Sequence, residues 1–346
     1  MKFLRDRFKT MKPYHSDYIT EGIKLDANEN PYPVPEEMIV HMQKWISTMQ
    51  VSRYPDTDSK GLMQAIAKAY DLKPQNVICG VGSDELLDCI LRATIENGDY
   101  VLAPYPSFSM YPQFTMLNAG ALLQVALKED FSYDVPGLIE KISKKQPKVI
   151  FLCHPNNPTG SVLSLEDISK IAEAAQGLVV VDEAYGEFCE ISALPLINTF
   201  NNIIVLKTFS KAYALAGARV GYGLACEALI ELLNTVKVPY NLNIFSQEIA
   251  TWAIENKVLF EPIIENIKQQ RAYLDTELKA LGLTVYPSAT NFIWLKMPKE
   301  AYLALEEAKV YIRKMQYEGK PYYRITVGTE DENKVLLKVL TDYFNV

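Results

Sequence analysis

Short apolar runs alternate along the chain with stretches whose apolar residues recur every three or four positions. The runs at 77–81 (VICGV), 100–103 (YVLA), 149–153 (VIFLC), 178–181 (LVVV), 203–206 (IIVL) and 220–224 (VGYGL) predict buried strands. Segments 83–96 and 165–175 between them predict amphipathic helices. Near-continuous apolar strands alternating with helices imply an α/β fold with a mostly parallel sheet covered on both faces. Ligands of such sheets sit beyond the carboxyl ends of the strands.

Beyond about Asn241 the pattern changes. One or two long helices over 243–281, a strand at 291–295, a helical stretch near 301–311, a strand at 322–327 and a last helix from Glu330 predict a smaller α+β unit. The first ~30 residues carry Pro13, Pro31 and Pro33 and read as an arm with little core of its own. The expected organisation is an arm over 1–30, a large domain over 31–240 and a small domain over 241–346 that the arm completes.

Composition narrows the function class. The 346 residues are 49% hydrophobic, enough for a substantial core. The balance of 35 basic and 42 acidic residues, net −7, argues against nucleic acid and anionic membranes as partners. It leaves room for a local cationic pocket. The five cysteines lie far apart with no C-x-x-C pair, which points to a reducing compartment rather than a disulfide framework. His15, His41 and His154 show no metal-ligand spacing. The first residues lack the apolar core of a signal peptide, and no uncharged stretch reaches membrane-spanning length. A soluble, cytoplasmic enzyme without metal is expected.

Four segments at predicted strand ends carry chemistry. Gly80-Val-Gly-Ser-Asp84 leads a strand into a helix whose free N–H groups suit a phosphate, although a plain turn with a Ser cap has the same pattern. Glu85 occupies the third glycine position of the dinucleotide motif and excludes it. His154-Pro-Asn-Asn-Pro-Thr-Gly160 is a stiff turn that presents the Asn157 amide, or an ordinary Asx turn. In Val179-Val-Val-Asp-Glu-Ala-Tyr185 a buried strand ends on Asp182, which needs a cationic partner. A pyridinium N–H, a salt bridge or a helix end would each serve. A nucleotide-hydrolase reading of that acid fails, because no GxxxxGK[ST] occurs. Lys207-Thr-Phe-Ser-Lys211 precedes a run of small apolar residues ending at Arg219. Desolvation makes Lys211 a candidate for condensing with a carbonyl, and Ser210 and Arg219 suit a phosphate. A solvated lysine at a helix start is the plainer alternative. Each signal alone is modest; their conjunction at strand ends supplies every part that pyridoxal phosphate (PLP) needs.

With these residues assembled, the chain resembles the fold-type I PLP aminotransferases over nearly its whole length, through NNPTG, DEAY and SKAYALAGARVGY. Within them it is most similar to the histidinol-phosphate aminotransferase family, through Lys12-Pro-Tyr14, Leu25-Asp-Ala-Asn-Glu-Asn30, Arg53-Tyr-Pro-Asp56, Pro106-Ser-Phe-Ser-Met-Tyr111 and Tyr323-Arg-Ile-Thr-Val-Gly-Thr329. The resemblance implies that Lys211 binds the cofactor covalently and serves as general base, and that Asp182 pairs with the pyridine nitrogen. It implies that Asn157 and Tyr185 bond the phenolic oxygen, and that Ser83, Asp84, Ser210 and Arg219 hold the phosphate. Phe108 falls at the ring-stacking position, where some relatives have Tyr. Tyr14, Asn28, Arg313 and Arg324 fall where the family binds substrate. A homodimer is implied, with Tyr54 reaching the cofactor phosphate of the other subunit. The implied reaction passes the amine of L-histidinol phosphate to 2-oxoglutarate in histidine biosynthesis. An aromatic amino-acid aminotransferase, a threonine-phosphate decarboxylase and a non-catalytic regulator share the framework and remain alternatives.

Overall fold

The apolar runs line up side by side in one seven-stranded sheet. The computed structural model describes residues 3, 5–9, 11, 13 and 19–345. Its strands are β1 (Ile23–Leu25), β2 (Val77–Gly80), β3 (Tyr100–Tyr105), β4 (Ala121–Ala126), β5 (Val149–Cys153), β6 (Leu178–Asp182), β7 (Ile203–Thr208), β8 (Gly221–Ala225), β9 (Thr284–Tyr286), β10 (Phe292–Lys296), β11 (Val310–Tyr317) and β12 (Lys320–Thr326). The large sheet runs β2-β8-β7-β6-β5-β3-β4. Its β4-β3-β5-β6-β7 part is parallel, and β8 is antiparallel to both β7 and β2.

β5 to β8 are buried at every position. The reason is visible in how alternate residues divide. Ile150, Leu152, Val179, Val181 and Val205 join one core with Ile142, Ile168 and Ile171 of the helices on that face. Val149, Phe151, Val180, Ile204 and Leu206 join another with Leu86, Leu87 and Ile90 of helix Gly82–Thr94. A strand covered on both sides has no polar face, so its sequence reads as a continuous apolar run. Burial at these five strand positions per face removes apolar area from water at about 25 cal/mol per Å², the dominant favourable term in holding the sheet.

The second sheet runs β1-β11-β12-β10-β9. β1, from the expected arm, pairs parallel with β11 through Ile23↔Val310 and Leu25↔Ile312. Two expectations are corrected here. The helical stretch near 301–311 ends early, as helix Lys299–Glu307, and Val310 begins a strand instead. A two-residue turn then reverses the chain: Glu318 and Gly319 both have positive φ, the conformation that matches the twist of a hairpin. β4 was not expected at all; it is an edge strand, apolar in sequence (ALLQVA) but with only Val125 buried. The long helical region resolves into Ile244–Glu255, packed on Glu36–Ile46 and Lys60–Ala69, and Glu261–Ala280, packed on β9, β10 and the last helix.

Because β2 lies parallel to β7 across the antiparallel β8, the carboxyl ends of β2, β3, β5, β6 and β7 and the amino end of β8 share one edge. That edge is where every chemistry-bearing segment emerges. No helix among the described residues is long and apolar enough to cross a membrane.

Candidate active site

Asp182 closes β6 and is 3% exposed. Its Oδ2 accepts a 2.9 Å hydrogen bond from the Tyr111 hydroxyl, and its Oδ1 accepts one of 3.2 Å from the Ala184 N–H. Both donors are neutral. Burial pushes the carboxyl up to about 6 despite them, with Asp84 and Glu183 acting in the same direction. A buried carboxylate lined up on a cavity and held by neutral donors suits a protonated ring nitrogen.

Lys211 follows β7 at the neighbouring strand end. Its Nζ donates to the Ala27 carbonyl at 3.2 Å and lies 5.8 Å from the Tyr185 ring centre. Desolvation lowers its pKa to about 8, helped by the cations of Arg324 and Arg219. Asn30 Nδ2 donates to the carbonyls of Lys211 and Ala212, which fastens the lysine's backbone to the arm segment.

Tyr185 carries its hydroxyl to the centre of the pocket. The oxygen accepts from Asn28 Nδ2 at 2.9 Å and from Asn157 Nδ2 at 3.3 Å. Burial pushes the phenol well above its usual value, so it keeps its proton and can donate to an oxyanion. Asn157 in turn accepts from Arg324 Nη1 at 2.6 Å, while Arg324 Nη2 donates to the Asp26 carbonyl at 2.7 Å. Asn28 holds φ 55°, a left-handed conformation that asparagine tolerates, and its N–H donates to Thr326 Oγ1.

At the start of helix Gly82–Thr94 the Val81 N–H donates to Glu85 Oε2 at 2.6 Å and the Gly82 N–H to the Arg219 carbonyl at 3.1 Å, and the N-cap residue Val81 offers no side chain to the N–H groups of Ser83 and Asp84. Gly82 has φ 70°, and a Cβ there would stand 2.7 Å from Arg219 Nη2. A Cβ on Gly221 would stand 2.3 Å from the Ser83 nitrogen. The two glycines therefore let β8 and the helix start close around a small hollow. Arg219 overlooks it with φ 52° and long contacts to Ser210 Oγ (3.5 Å) and Asp84 Oδ2 (3.4 Å). A helix start, a hydroxyl and a guanidinium around one hollow are donors suited to a phosphate.

Asp182, Lys211, Tyr185, Asn157, Ser83, Asp84, Ser210 and Arg219 line one cavity of about 500 Å³, with Phe108 on its wall. It has an aromatic face, a carboxylate, a phenol with an amide, a neutralisable lysine and that hollow, each suited to a different atom of PLP. An adjoining chamber of about 340 Å³ shares Ala27, Phe108, Asn157, Tyr185 and Lys211. It adds Asn28, Arg313 and Arg324. Arg313 and Arg324 are directly opposite on antiparallel β11 and β12, so both project from the same face. A larger cleft of about 1020 Å³, lined by Tyr70, Glu187, Lys207 and Glu261, contains none of the expected site residues.

Twelve of the expected residues thus meet around the two chambers: Ser83, Asp84, Phe108, Asn157, Asp182, Tyr185, Ser210, Lys211 and Arg219, with Asn28, Arg313 and Arg324. Tyr54 does not; it is 82% exposed and stacks on Tyr240 at 4.7 Å, lining neither chamber. Tyr14 lies outside the described residues. Tyr111 and Asn30 had no expected role. The three-residue spacing of Phe108 and Tyr111, which places their rings 5.4 Å apart, was the available signal for the first.

Comparison with known proteins agrees with this geometry. Residues 20–340 match the family model described as aminotransferase class I and II. The chain is 41% identical over 343 residues to histidinol-phosphate aminotransferase of Thermoanaerobacter pseudethanolicus, covering 98% of both. It is 36% identical over 346 residues to the enzyme of the same name from Thermococcus kodakarensis, covering 99% of both. Its fold is similar to the crystal structure of histidinol-phosphate aminotransferase from Sinorhizobium meliloti in complex with pyridoxal-5'-phosphate. The TM-score is 0.90 at 24% identity, over 100% of this chain and 98% of that one.

Proposed function

The chain belongs to the aminotransferase class I and II family, among the histidinol-phosphate aminotransferases, and on that premise we propose that it transfers the amino group of L-histidinol phosphate to 2-oxoglutarate. It is a PLP-dependent enzyme of fold type I. The observation that carries the substrate reading is the cross-strand pair Arg313–Arg324 on the wall of the second chamber. Like charges directly opposite each other in a sheet are unfavourable unless an anion sits between them. Histidinol phosphate brings a phosphate, and 2-oxoglutarate brings carboxylates in its place. A guanidinium fork accepts either.

Bound PLP supplies a conjugated ring that takes up the electron pair left when the substrate's α-carbon loses its proton. The chain's own residues do the rest. Asp182 keeps a negative charge beside the ring nitrogen. The Tyr185 hydroxyl and the Asn157 amide bond the phenolic oxygen. Ser83 and Asp84, through their N–H groups, hold the phosphate with Ser210 and Arg219. Phe108 covers the ring face. With the substrate's amine in its place, Lys211 Nζ would take the α-proton and return it two bonds away, across the substrate nitrogen, which a lysine with a pKa of about 8 can do near neutral pH. Asn28 and Arg324 orient the substrate.

We also propose a homodimer, in which the exposed Tyr54 reaches the partner's phosphate cradle. The division we propose is a large domain (31–240) and a small domain (241–346) that the arm (1–30) completes, and the enzyme would work in the cytoplasm. Light scattering at the mass of a single chain would contradict the dimer.

The substrate reading is tested by a half-reaction. The PLP-loaded enzyme is mixed separately with L-histidinol phosphate, phenylalanine, tyrosine and threonine phosphate, and the cofactor's visible absorbance is followed. Rapid bleaching by histidinol phosphate alone is the expected result. Preference for an aromatic amino acid, or carbon dioxide release from threonine phosphate, would overturn the substrate and leave the cofactor site standing.

A further inference from the structure

We propose that Tyr111 is a positioning residue that holds Asp182 ionised and thereby keeps the cofactor's ring nitrogen protonated. The proposal rests on the reading that Asp182 meets that nitrogen. Tyr111 lies outside both chambers' walls, in helix Met110–Leu117, and is 1% exposed. Its ring is clamped from two sides. It stacks on Phe151 of β5 at 4.5 Å and 11°, and meets Phe108 edge-on at 5.4 Å and 86°. Two aromatic neighbours leave the hydroxyl little freedom, and it points at Asp182 Oδ2 from 2.9 Å.

The surroundings of Asp182 make that one bond matter. The groups that face it are Asp84 from helix Gly82–Thr94, Cys153 at the end of β5, Tyr133 from the loop before helix Val135–Lys145, and Glu183 and Tyr185 beyond its own strand. Lys211 and Arg219 line the same cavity and Lys207 pairs with Glu183; the groups named above are acids or weak acids, and the carboxylates among them disfavour a second charge. Against them stand the Tyr111 hydroxyl and the Ala184 N–H. The Tyr111 phenol is pushed well above its usual value by burial and by Asp182, so it remains a donor throughout the working pH range. One oxygen is tied to Tyr111 and the other to Ala184, which fixes the carboxylate plane at the wall of the cavity that Asp182 lines.

The consequence is a proton balance. Asp182 and the ring nitrogen share one proton between them, on nitrogen when the carboxylate is well solvated by donors and on oxygen when it is not. A hydrogen bond to a charged group is worth a tenfold to hundredfold change in the carboxylate's proton affinity, about 1.4–2.8 kcal/mol. Removing the Tyr111 hydroxyl moves the shared proton toward Asp182 by that factor and leaves a weaker electron sink, with no contact to cofactor or substrate altered.

The test is the 15N NMR signal of ring-labelled PLP in the holoenzyme at neutral pH, in wild type, Tyr111→Phe and Asp182→Asn. A second probe at position 111, 4-aminophenylalanine, fills the same space with a weaker donor and keeps the test usable should the Phe variant fold poorly. The expected result is a protonated nitrogen in wild type, a signal moved toward the unprotonated position in Tyr111→Phe, and a smaller move in the same direction with 4-aminophenylalanine. A wild-type signal in both position-111 variants, with a displaced signal in Asp182→Asn, overturns the role of Tyr111 alone. A wild-type signal in Asp182→Asn removes the contact between Asp182 and the ring, and with it the reading on which the proposal rests.

Discussion

Arg324 and Asn157 are joined by a 2.6 Å hydrogen bond from Nη1 to Oδ1, so a residue of the substrate chamber steadies one of the cofactor cavity. The bond turns the Asn157 amide so that its Nδ2 points to Tyr185. Arg324 reaches Asn157 and the Asp26 carbonyl through two separate nitrogens, and the single nitrogen of a lysine cannot stand at both positions. Arg324→Lys is therefore expected to lower kcat/KM for both substrates by roughly 10- to 100-fold, the range for lost charge-assisted bonds. Steady-state kinetics with each substrate varied in turn measures this; an effect confined to one substrate would contradict a shared anion site.

Arg313 faces Arg324 across β11 and β12, and substrate is expected to relieve their repulsion. Arg313→Leu should weaken histidinol phosphate by about 10-fold or more while making the substrate-free protein slightly more stable, by about 0.5 kcal/mol. Urea denaturation alongside KM measurements would show the two changes together. A variant less stable than wild type and unchanged in KM would place Arg313 in the scaffold rather than the site.

Lys211 has a pKa of about 8, lowered mainly by desolvation. The neutral amine is the nucleophile that captures PLP. Reconstitution of the cofactor-free enzyme should therefore slow about tenfold per pH unit below about 8 and level off above it. Stopped-flow absorbance across pH follows this directly. Lys211→Ala should show no visible band and lose turnover by about 10⁴-fold, the upper range for a general base.

Asp182 is raised from 3.8 to about 6 by burial in the cofactor-free chain. A carboxyl whose folded value exceeds its unfolded value supports folding below about 4, and that support is lost as pH rises through about 6. Asp182→Asn removes this titration. Relative to the variant, the cofactor-free wild type should lose up to about 3 kcal/mol between those limits. Paired denaturation curves at several pH values give the difference; a constant offset would show that Asp182 is not desolvated.

Gly221 has no room for a side chain, because a methyl group would meet the Ser83 nitrogen and the Gly82 carbonyl carbon at 2.3 and 2.5 Å. These are backbone atoms and cannot swing aside. Gly221→Ala should open the phosphate cradle, with a stability loss of about 1–3 kcal/mol and a clear drop in PLP affinity. Equilibrium dialysis of PLP would detect it.

How much was legible beforehand varied with the kind of feature. β5, β6 and β7 were readable because both faces are covered, so every residue is apolar until the strand nears its carboxyl end at Cys153, Asp182 or the Lys207-Thr208 pair. β11 was not, because a strand with one polar face carries no continuous apolar run; β4 was not, because a short apolar run such as ALLQVA does not by itself separate a strand from a helix. Tyr111 was unreadable in its role because its partner is 71 residues away.

The order of residues along the chain determined what is local: where strands run out, where Gly82 and the 154–160 turn bend the backbone, and which side chains stand at those ends. These follow from φ/ψ preference and the demand for burial within a few residues. Only the tertiary structure decided which of those ends meet. The sheet order brings β2, β6, β7 and β8 to one edge; the hairpin at Glu318–Gly319 sets Arg313 opposite Arg324; the arm delivers Asn28 to Tyr185. Such meetings depend on register and long-range packing, summed over many small contacts, and no short window of sequence contains them.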